Sequence, residues 1–294
     1  MTKQREIAQK HVWLLLLYGA IAFFIFCIAL FPKEEAVRQV LYLLSQRLNY
    51  TFSAKEIHVT FPGRLELKNL SIARKNSRAD GFPCLKIDTV RIKPKFSQLF
   101  FKKLGLFFNL QLYQGTLEGI ASFDLLRPRY LRELDCLSRG IHLANLKQIY
   151  ESLNAHINGE LSGQATIKLE KNDIETLTGD YRFEVSPGEI QVMSFPGINF
   201  QQIKGEGSLS QGKIKIQSVS ILGDELQGQI TGDVRLDKDI ARSYLKARVS
   251  LNLGQELKEK LGPLAAFLPK QEKGGIQLNI RGNLNHLSFM PTTM

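Results

Sequence analysis

Residues 198–236 read INFQQIKGEGSLSQGKIKIQSVSILGDELQGQITGDVRL. Apolar and polar residues alternate along this stretch in three runs, Ile198–Leu209, Ile214–Leu222 and Leu226–Leu236. Because successive side chains of a strand point to opposite faces, this period of two is typical of β-strands with one buried side. Short polar segments separate the runs. We therefore predict consecutive antiparallel strands here.

The same alternation extends through the C-terminal segment, residues 154–294, which we predict to be an antiparallel β segment. A short helix is predicted at Gln255–Leu261. Further strands are predicted at Ile157–Leu169, Ile174–Val185, Ile190–Phe195, Tyr244–Leu253 and Gly275–Gly282.

Glycine recurs inside these strands, as in Asn158–Gly163, Lys204–Gly207 and Gln227–Gly232. Glycine within a strand marks a bulge, a bend or a close backbone approach, and repeated glycines on neighbouring strands curve a sheet in one sense. Few helices are predicted to cover the apolar face. Either two sheets stack as a sandwich, or one sheet curls around an apolar groove, and the glycine spacing favours the groove. An uncovered groove would bind lipid or another protein.

Residues 32–124 predict a helix followed by a basic β segment. The helix opens at Lys33 and carries an apolar stripe, and a bulge is predicted at Asn69. A short helix is predicted from Ser97 to Lys103 and ends at Gly105. Residues 125–153 predict a helical connector, because Pro128 and a charged run precede helical spacing from Ala144 to Leu153. The predicted strands include Ile57, Val59 and Phe61, then Leu65–Ile72, Leu85–Ile92, Leu106–Tyr113 and Thr116–Phe123.

Residues 12–31 contain no charge. A helix of this length spans about 30 Å, the thickness of the hydrocarbon core of a bilayer, so we predict an uncleaved membrane anchor. Basic residues outnumber acidic ones in residues 1–11, which predicts a cytoplasmic tail and a C-terminal domain outside the cytoplasm, or in the periplasm of a bacterium. The predicted anchor residues are Val12, Trp13, Leu14, Tyr18, Phe23, Phe24, Phe26 and Phe31.

The net charge of +11 is unevenly distributed. Residues 32–103 contain fifteen basic and six acidic side chains, whereas residues 154–294 contain sixteen of each. A basic region beside a membrane favours anionic phospholipid headgroups, although the same charges could be the solvated faces of strands. No nucleic-acid-binding module accompanies the charge, so nucleic acid is not an expected partner.

Sequence patterns typical of enzymes are absent. The five histidines have no metal-binding spacing, and no Gly-x-Ser-x-Gly motif occurs. The pair Asp224 and Glu225 offers too few oxygens for calcium. We predict no catalytic residue, no metal and no cofactor. Cys84 and Cys136 could form a disulfide in a periplasmic domain or remain thiols.

An aromatic cluster with two adjacent lysines is the main apolar feature outside the anchor. It has two interpretations: part of the core, or the mouth of a groove that receives lipid chains while the lysines meet a headgroup. Its members are Phe96, Phe100, Phe101, Lys102, Lys103, Phe107 and Phe108.

Soft motifs of apolar residues, glycine and proline follow the anchor, at Leu41–Leu48, Phe61–Ile72, Val90–Pro94, Gly262–Leu264 and Gly275–Gly282. Together they resemble type II secretion system protein N in its long deltaproteobacterial form, and more broadly the AsmA and TamB superfamily of inner-membrane-anchored β-groove proteins. The resemblance implies a non-catalytic periplasmic component whose partners are other secretion-system proteins. For the wider superfamily it implies a groove that holds lipid acyl chains.

Overall fold

A computed structural model describes residues 32–48, 50–60, 63–74, 85–127, 130–146, 155–170, 173–192, 197–237, 242–261, 275–283 and 286–291. The fold is mainly antiparallel β, as the alternation predicts. The predicted anchor, residues 12–31, lies outside these ranges. Within them, no helix is long and apolar enough to cross a membrane.

Two α-helices and eighteen strands are described. The helices are α1 (Lys33–Arg47) and α2 (Gln255–Leu261). The strands are β1 (Tyr50–Ser53), β2 (Glu56–Thr60), β3 (Arg64–Arg74), β4 (Leu85–Lys95), β5 (Lys103–Leu112), β6 (Gly115–Asp124), β7 (Leu131–His142), β8 (Ala155–Ile157), β9 (Glu160–Leu169), β10 (Leu177–Ser186), β11 (Gly188–Val192), β12 (Ile198–Phe200), β13 (Gln202–Ser210), β14 (Lys213–Leu222), β15 (Leu226–Arg235), β16 (Tyr244–Leu253), β17 (Ile276–Asn283) and β18 (His286–Pro291). Three short 3₁₀ helices cover Phe96–Phe101, Leu143–Leu146 and Ile174–Thr176.

Among the described residues, fifteen strands form one antiparallel sheet in the order β1-β3-β4-β5-β6-β7-β9-β10-β13-β14-β15-β16-β17-β18, with β2 also beside β3. A second sheet of three strands, β12-β11-β8, is separate. The segments predicted at 32–124 and 154–294 are therefore parts of one large sheet.

The prediction of a helical connector at 125–153 is wrong for its central part, because β7 occupies Leu131–His142 and joins β6 to β9. Its charged side chains belong to the polar face of a strand and pair across it. Glu133 lies 3.7 Å from Lys103 on β5 and 3.6 Å from Lys168 on β9. A 3₁₀ helix follows β7, and residues 147–154 lie outside the described residues.

The bulge predicted at Asn69 is also absent. Lys68 pairs with Thr89 and Leu70 with Ile87, so the register of β3 and β4 stays in step across Asn69. Instead Asn69 has a left-handed φ of 50°. Because no residue is inserted, the apolar phase changes on both strands together, and Leu67 and Leu70 are both buried.

The large sheet has one apolar face that continues across its strands. Paired residues on neighbouring strands lie on the same face, so the register traces rows across the sheet. One such row runs from β3 to β17 through Leu65, Ile92, Phe108, Gly119, Cys136, Ala165, Tyr181, Gly207, Ile216, Gly232, Ala247 and Ile280. We call this side the apolar face.

Glycines on the apolar face accept aromatic rings from the neighbouring strand. A methyl group at Gly119 would lie 2.7 Å from Phe108 Cζ, and one at Gly207 would lie 2.6 Å from Tyr181 Cζ. Phe183 overlies Gly205 in the same way. The recurrent glycines therefore make room for aromatic side chains on this face.

Two clusters of buried residues cover opposite parts of the apolar face. Near β1 to β5, α1 packs Val37 and Leu41 against Ile57 and Leu67. Farther along, the small sheet contributes Phe200 to a cluster around Leu143 and Val185. This second cluster also includes the paired residues Leu161, Ile203 and Ile221, which lie at the ends of their strands opposite the β4–β5 turn. We call the end of the sheet that carries this second cluster the far end, and the end that carries the β4–β5 turn the turn end.

Candidate functional site

An apolar cavity of about 810 Å³ lies between α1 and strands β2 to β4. Helix α1 and the sheet each contribute one wall, and the β4–β5 turn contributes Phe96. The lining residues are Lys33, Ala36, Val37, Val40, Leu41, Leu44, Val59, Thr60, Gly63, Leu65, Leu67, Ile92 and Phe96.

The position of α1 against the sheet is fixed by packing and by one serine. Ser45 Oγ donates a hydrogen bond to the Leu41 carbonyl at 2.8 Å, and the Phe52 N–H donates to Ser45 Oγ at 3.1 Å. Ser45 is buried, so this relay joins the end of α1 to β1 away from water. Glu34 and Glu35 lie in the first turn, where the helix dipole favours negative charge.

The lining of the cavity indicates an apolar ligand. Its side chains are aliphatic or aromatic except Lys33 and Thr60, which lie at the turn end. Ligand pockets typically enclose about 300–1,000 Å³, so the volume suits a small molecule or a hydrocarbon chain. Lys33 is the cationic side chain in the lining, and it could meet an acidic headgroup while the chain occupies the cavity.

The structure separates the predicted aromatic cluster into three groups. Phe96 lines the cavity, whereas Phe100 and Phe101 are 90% and 77% exposed. Phe107 and Phe108 are neighbours on β5 and point to opposite faces, with Phe108 on the apolar face. The prediction of one cluster is therefore wrong. Lys102 is exposed in the turn, and Lys103 begins β5 and faces Glu133.

The β4–β5 turn is shaped differently from the prediction. Its 3₁₀ helix begins at Phe96 without a side-chain cap, and Lys102, not Gly105, takes the left-handed conformation that ends it, with φ of 54°. Gly105 lies within β5 beneath Gln98, where a methyl group would lie 2.6 Å from Gln98 Cδ. Ser122 Oγ donates to Gln98 Oε1 at 2.9 Å, which holds the turn on β6.

Beyond α1, the apolar face is open toward the turn end. The small sheet lies at the far end, where Phe200 joins the buried cluster around Val185 and β12 contacts β15. One row near this end is half-buried and apolar on successive strands. It contains Leu106, Ala121, Leu134, Ile167, Gly179, Leu209, Ile214, Val234 and Leu245.

The far end is closed by polar contacts of Glu225 with Asn199 and Lys260, which the sequence did not predict. We call these three residues the lock. Glu225, in the β14–β15 turn, is only 5% exposed and accepts a hydrogen bond from Lys260 Nζ on α2 at 2.7 Å. The Asn199 N–H and Nδ2 on β12 also donate to Glu225, at 3.2 and 3.1 Å. The Lys260 ammonium holds the pKa of Glu225 below its ordinary value of 4.5, although burial opposes it. The acidic pair Asp224–Glu225 is visible in the sequence, but the partners of Glu225 lie too far along the chain to be predicted from it.

The lock is a structural ion pair. Among the described residues, no group of three histidine, cysteine or acidic side chains could hold a metal ion. Leu257 on α2 is 1% exposed, so the small helix is fixed by apolar burial as well as by charge.

Comparison with family models, curated proteins and solved structures finds no match to this chain. The resemblance stated above therefore stays a prediction.

Cys136 is a free, half-buried thiol on β7, at the centre of the apolar face. Burial raises the pKa of this thiol, which disfavours the reactive thiolate. The other half of the predicted disulfide, Cys84, lies outside the described residues.

Proposed function

We propose that this chain is a non-catalytic, membrane-anchored protein of the bacterial envelope that binds the acyl chains of phospholipids. The observation that carries the proposal is the apolar cavity between α1 and the sheet, which adjoins an apolar face open at the same end. The cavity begins at Lys33, directly after Pro32 and close in sequence to the predicted anchor, so lipid from the bilayer has a short path to it.

The energetics favour exchange with the bilayer over permanent storage. Removing a methylene from water contributes about 0.8 kcal/mol, but a chain that leaves a bilayer exchanges one apolar environment for another. The net gain then comes from packing and from the charge of Lys33. A basic residue beside anionic lipid contributes about 1 kcal/mol. We therefore expect loose binding with preference for anionic phospholipid.

The test uses two matched tryptophan variants on α1. Val40 lines the cavity and is 54% exposed, whereas Tyr42 is 64% exposed on the same helix and does not line it. The full chain is purified in mild detergent with a photoreactive phosphatidylglycerol, and cross-linked peptides are mapped by mass spectrometry. Wild type and Tyr42→Trp should label residues of α1 and β2 to β4, and Val40→Trp should lose this labelling. Equal labelling of both variants would contradict the proposal.

We also propose, as a second function, a role as a component of the type II secretion system on the periplasmic side of the inner membrane. The supporting observation is that the resemblance residues which the structure describes fall mainly in α1, β3, β4 and β17, and that these three strands lie near the two edges of the large sheet. Deleting the gene should abolish exoprotein secretion and leave the envelope intact. A C-terminal alkaline phosphatase fusion should be active, and an inactive one would contradict the periplasmic placement.

A further inference from the structure

Two turns at the turn end carry the three most exposed large apolar side chains among the described residues. In the β4–β5 turn, Phe100 and Phe101 are 90% and 77% exposed, and in the β6–β7 turn Leu126 is 85% exposed. We call these three residues the apolar tips. Large apolar groups exposed together on a folded surface mark a contact with a membrane or a partner.

Hydrogen bonds hold the two turns side by side. The Leu125 N–H donates to the Lys102 carbonyl at 3.1 Å and thereby joins the turns. Asp124 Oδ1 accepts from the N–H groups of Leu126 and Arg127, at 2.9 and 3.2 Å. Arg132 donates to the other oxygen of Asp124 at 2.6 Å and holds the pKa of that carboxyl below its ordinary value. The tips therefore stay exposed because their backbone is fixed.

The tips lie at the same end of the sheet as the start of α1. Phe96, in the same turn as Phe100, lines the cavity together with Lys33, the first residue of α1. The described part of the chain therefore begins, at Pro32, at the same end of the sheet as the tips.

The charges around the tips favour an anionic lipid surface over a second copy of this chain as the group that binds there. Lys95, Lys102 and Arg127 are exposed next to the tips, while the nearby Asp124 is neutralised by Arg132. A second copy would bring identical positive charges together, in a region with nine more basic than acidic side chains. An anionic lipid surface complements both the charge and the apolar tips, as aromatic and basic residues do at membrane interfaces.

We propose that Phe100, Phe101 and Leu126 insert into the interface of an anionic bilayer, with Lys95, Lys102 and Arg127 at the headgroups. The sheet then stands on the membrane by its turn end, and only the turn-end edge of the apolar face adjoins the lipid. This inference goes beyond acyl-chain uptake and does not require it, because the tips do not line the cavity.

The experiment measures insertion of a single tryptophan in the full chain. Trp13 is the one tryptophan of the sequence, so Trp13→Phe provides a background without tryptophan. Phe100→Trp reports on the tip, and Leu222→Trp is the control, because Leu222 is 49% exposed at the far end of β14. Each chain is reconstituted in nanodiscs of phosphatidylcholine and phosphatidylglycerol whose acyl chains are brominated, and bromine quenches tryptophan only in direct contact.

We expect Phe100→Trp to lose most of its emission in brominated discs and Leu222→Trp to lose none. Reversing the charges with Lys102→Glu and Arg127→Glu should restore much of the lost emission. Unquenched Phe100→Trp would overturn the proposal, and blue-shifted emission without quenching would assign the tips to a protein contact instead. Equal quenching of both positions would overturn it as well, since the sheet would then lie flat. Cavity labelling by the photoreactive lipid is read separately and can succeed or fail independently.

Discussion

Replacing Glu225 with glutamine tests whether one carboxylate fastens the small sheet and α2 to the large sheet. Glu225 accepts three hydrogen bonds, two from Asn199 and one from Lys260. Glutamine keeps the shape of the side chain but presents one acceptor oxygen and no charge. Removing one partner of a buried ion pair can cost about 3–5 kcal/mol. Here the Lys260 side chain is 35% exposed, so water can replace its partner.

The expected loss is therefore that of a hydrogen bond to a charged group, about 1.5–3 kcal/mol. A large sheet need not unfold in a single step, so the readout is local hydrogen exchange measured by mass spectrometry. Peptides covering residues 197–200 and 255–261 should exchange roughly ten- to a hundredfold faster in Glu225→Gln. Asp224→Asn is the control, because that neighbouring carboxylate is exposed and bonds only to the Gln201 side chain among the described contacts.

The pH dependence of the same measurement distinguishes charge from shape. The folded state lowers the pKa of Glu225 below 4.5, so its stabilisation is fully present above 4.5 and is lost as the pH falls through the lowered value. The difference in protection between wild type and Glu225→Gln should be constant near neutral pH and shrink in acid. A difference that persists unchanged at low pH, or that is absent at neutral pH, would refute the argument.

Two further predictions concern the apolar face. Gly207→Val should destabilise β13 by about 1–3 kcal/mol in local hydrogen exchange, because the new side chain overlaps the Tyr181 ring and the Lys215 carbonyl, and the neighbouring Ser208→Val should not. Cys136 should be alkylated by iodoacetamide more slowly in the folded chain than in urea at mildly alkaline pH, since burial raises the pKa of its thiol. Equal rates by peptide mapping would contradict this.

Local sequence patterns correctly predicted most of the described strands. The run Tyr244–Leu253 is a strand with the predicted bounds, and Gln255–Leu261 is the predicted helix. Both have a complete local pattern: alternation in the first, and in the second a helix-forming sequence directly after Gly254. The last strand, β18, was not predicted.

The prediction of a helical connector at 125–153 was wrong because the contacts that make β7 a strand are not local in sequence. In β7, Arg139 bonds to Glu118 on β6 at 3.0 Å, and Glu133 lies between lysines of β5 and β9. Read along the sequence, these charges resemble a solvated loop, and only the neighbouring strands show that they form one face of a sheet. The same limit hid the lock at Glu225, whose partners Asn199 and Lys260 lie 26 and 35 residues away.

Similar apolar side chains are buried at the far end of the sheet and exposed at its turn end. At the far end, Phe200 of the small sheet and Val185 of the large sheet are buried in one cluster, and the Glu225 lock holds the small sheet in place. At the turn end, Phe100 and Leu126 are exposed on turns fixed by their own hydrogen bonds. Under the proposed function, a lipid chain would therefore enter the apolar face from the turn end, where Lys95, Lys102 and Arg127 are exposed. Loosening the lock should leave tip insertion unchanged, whereas charge reversal at the tips should leave protection of the far end unchanged.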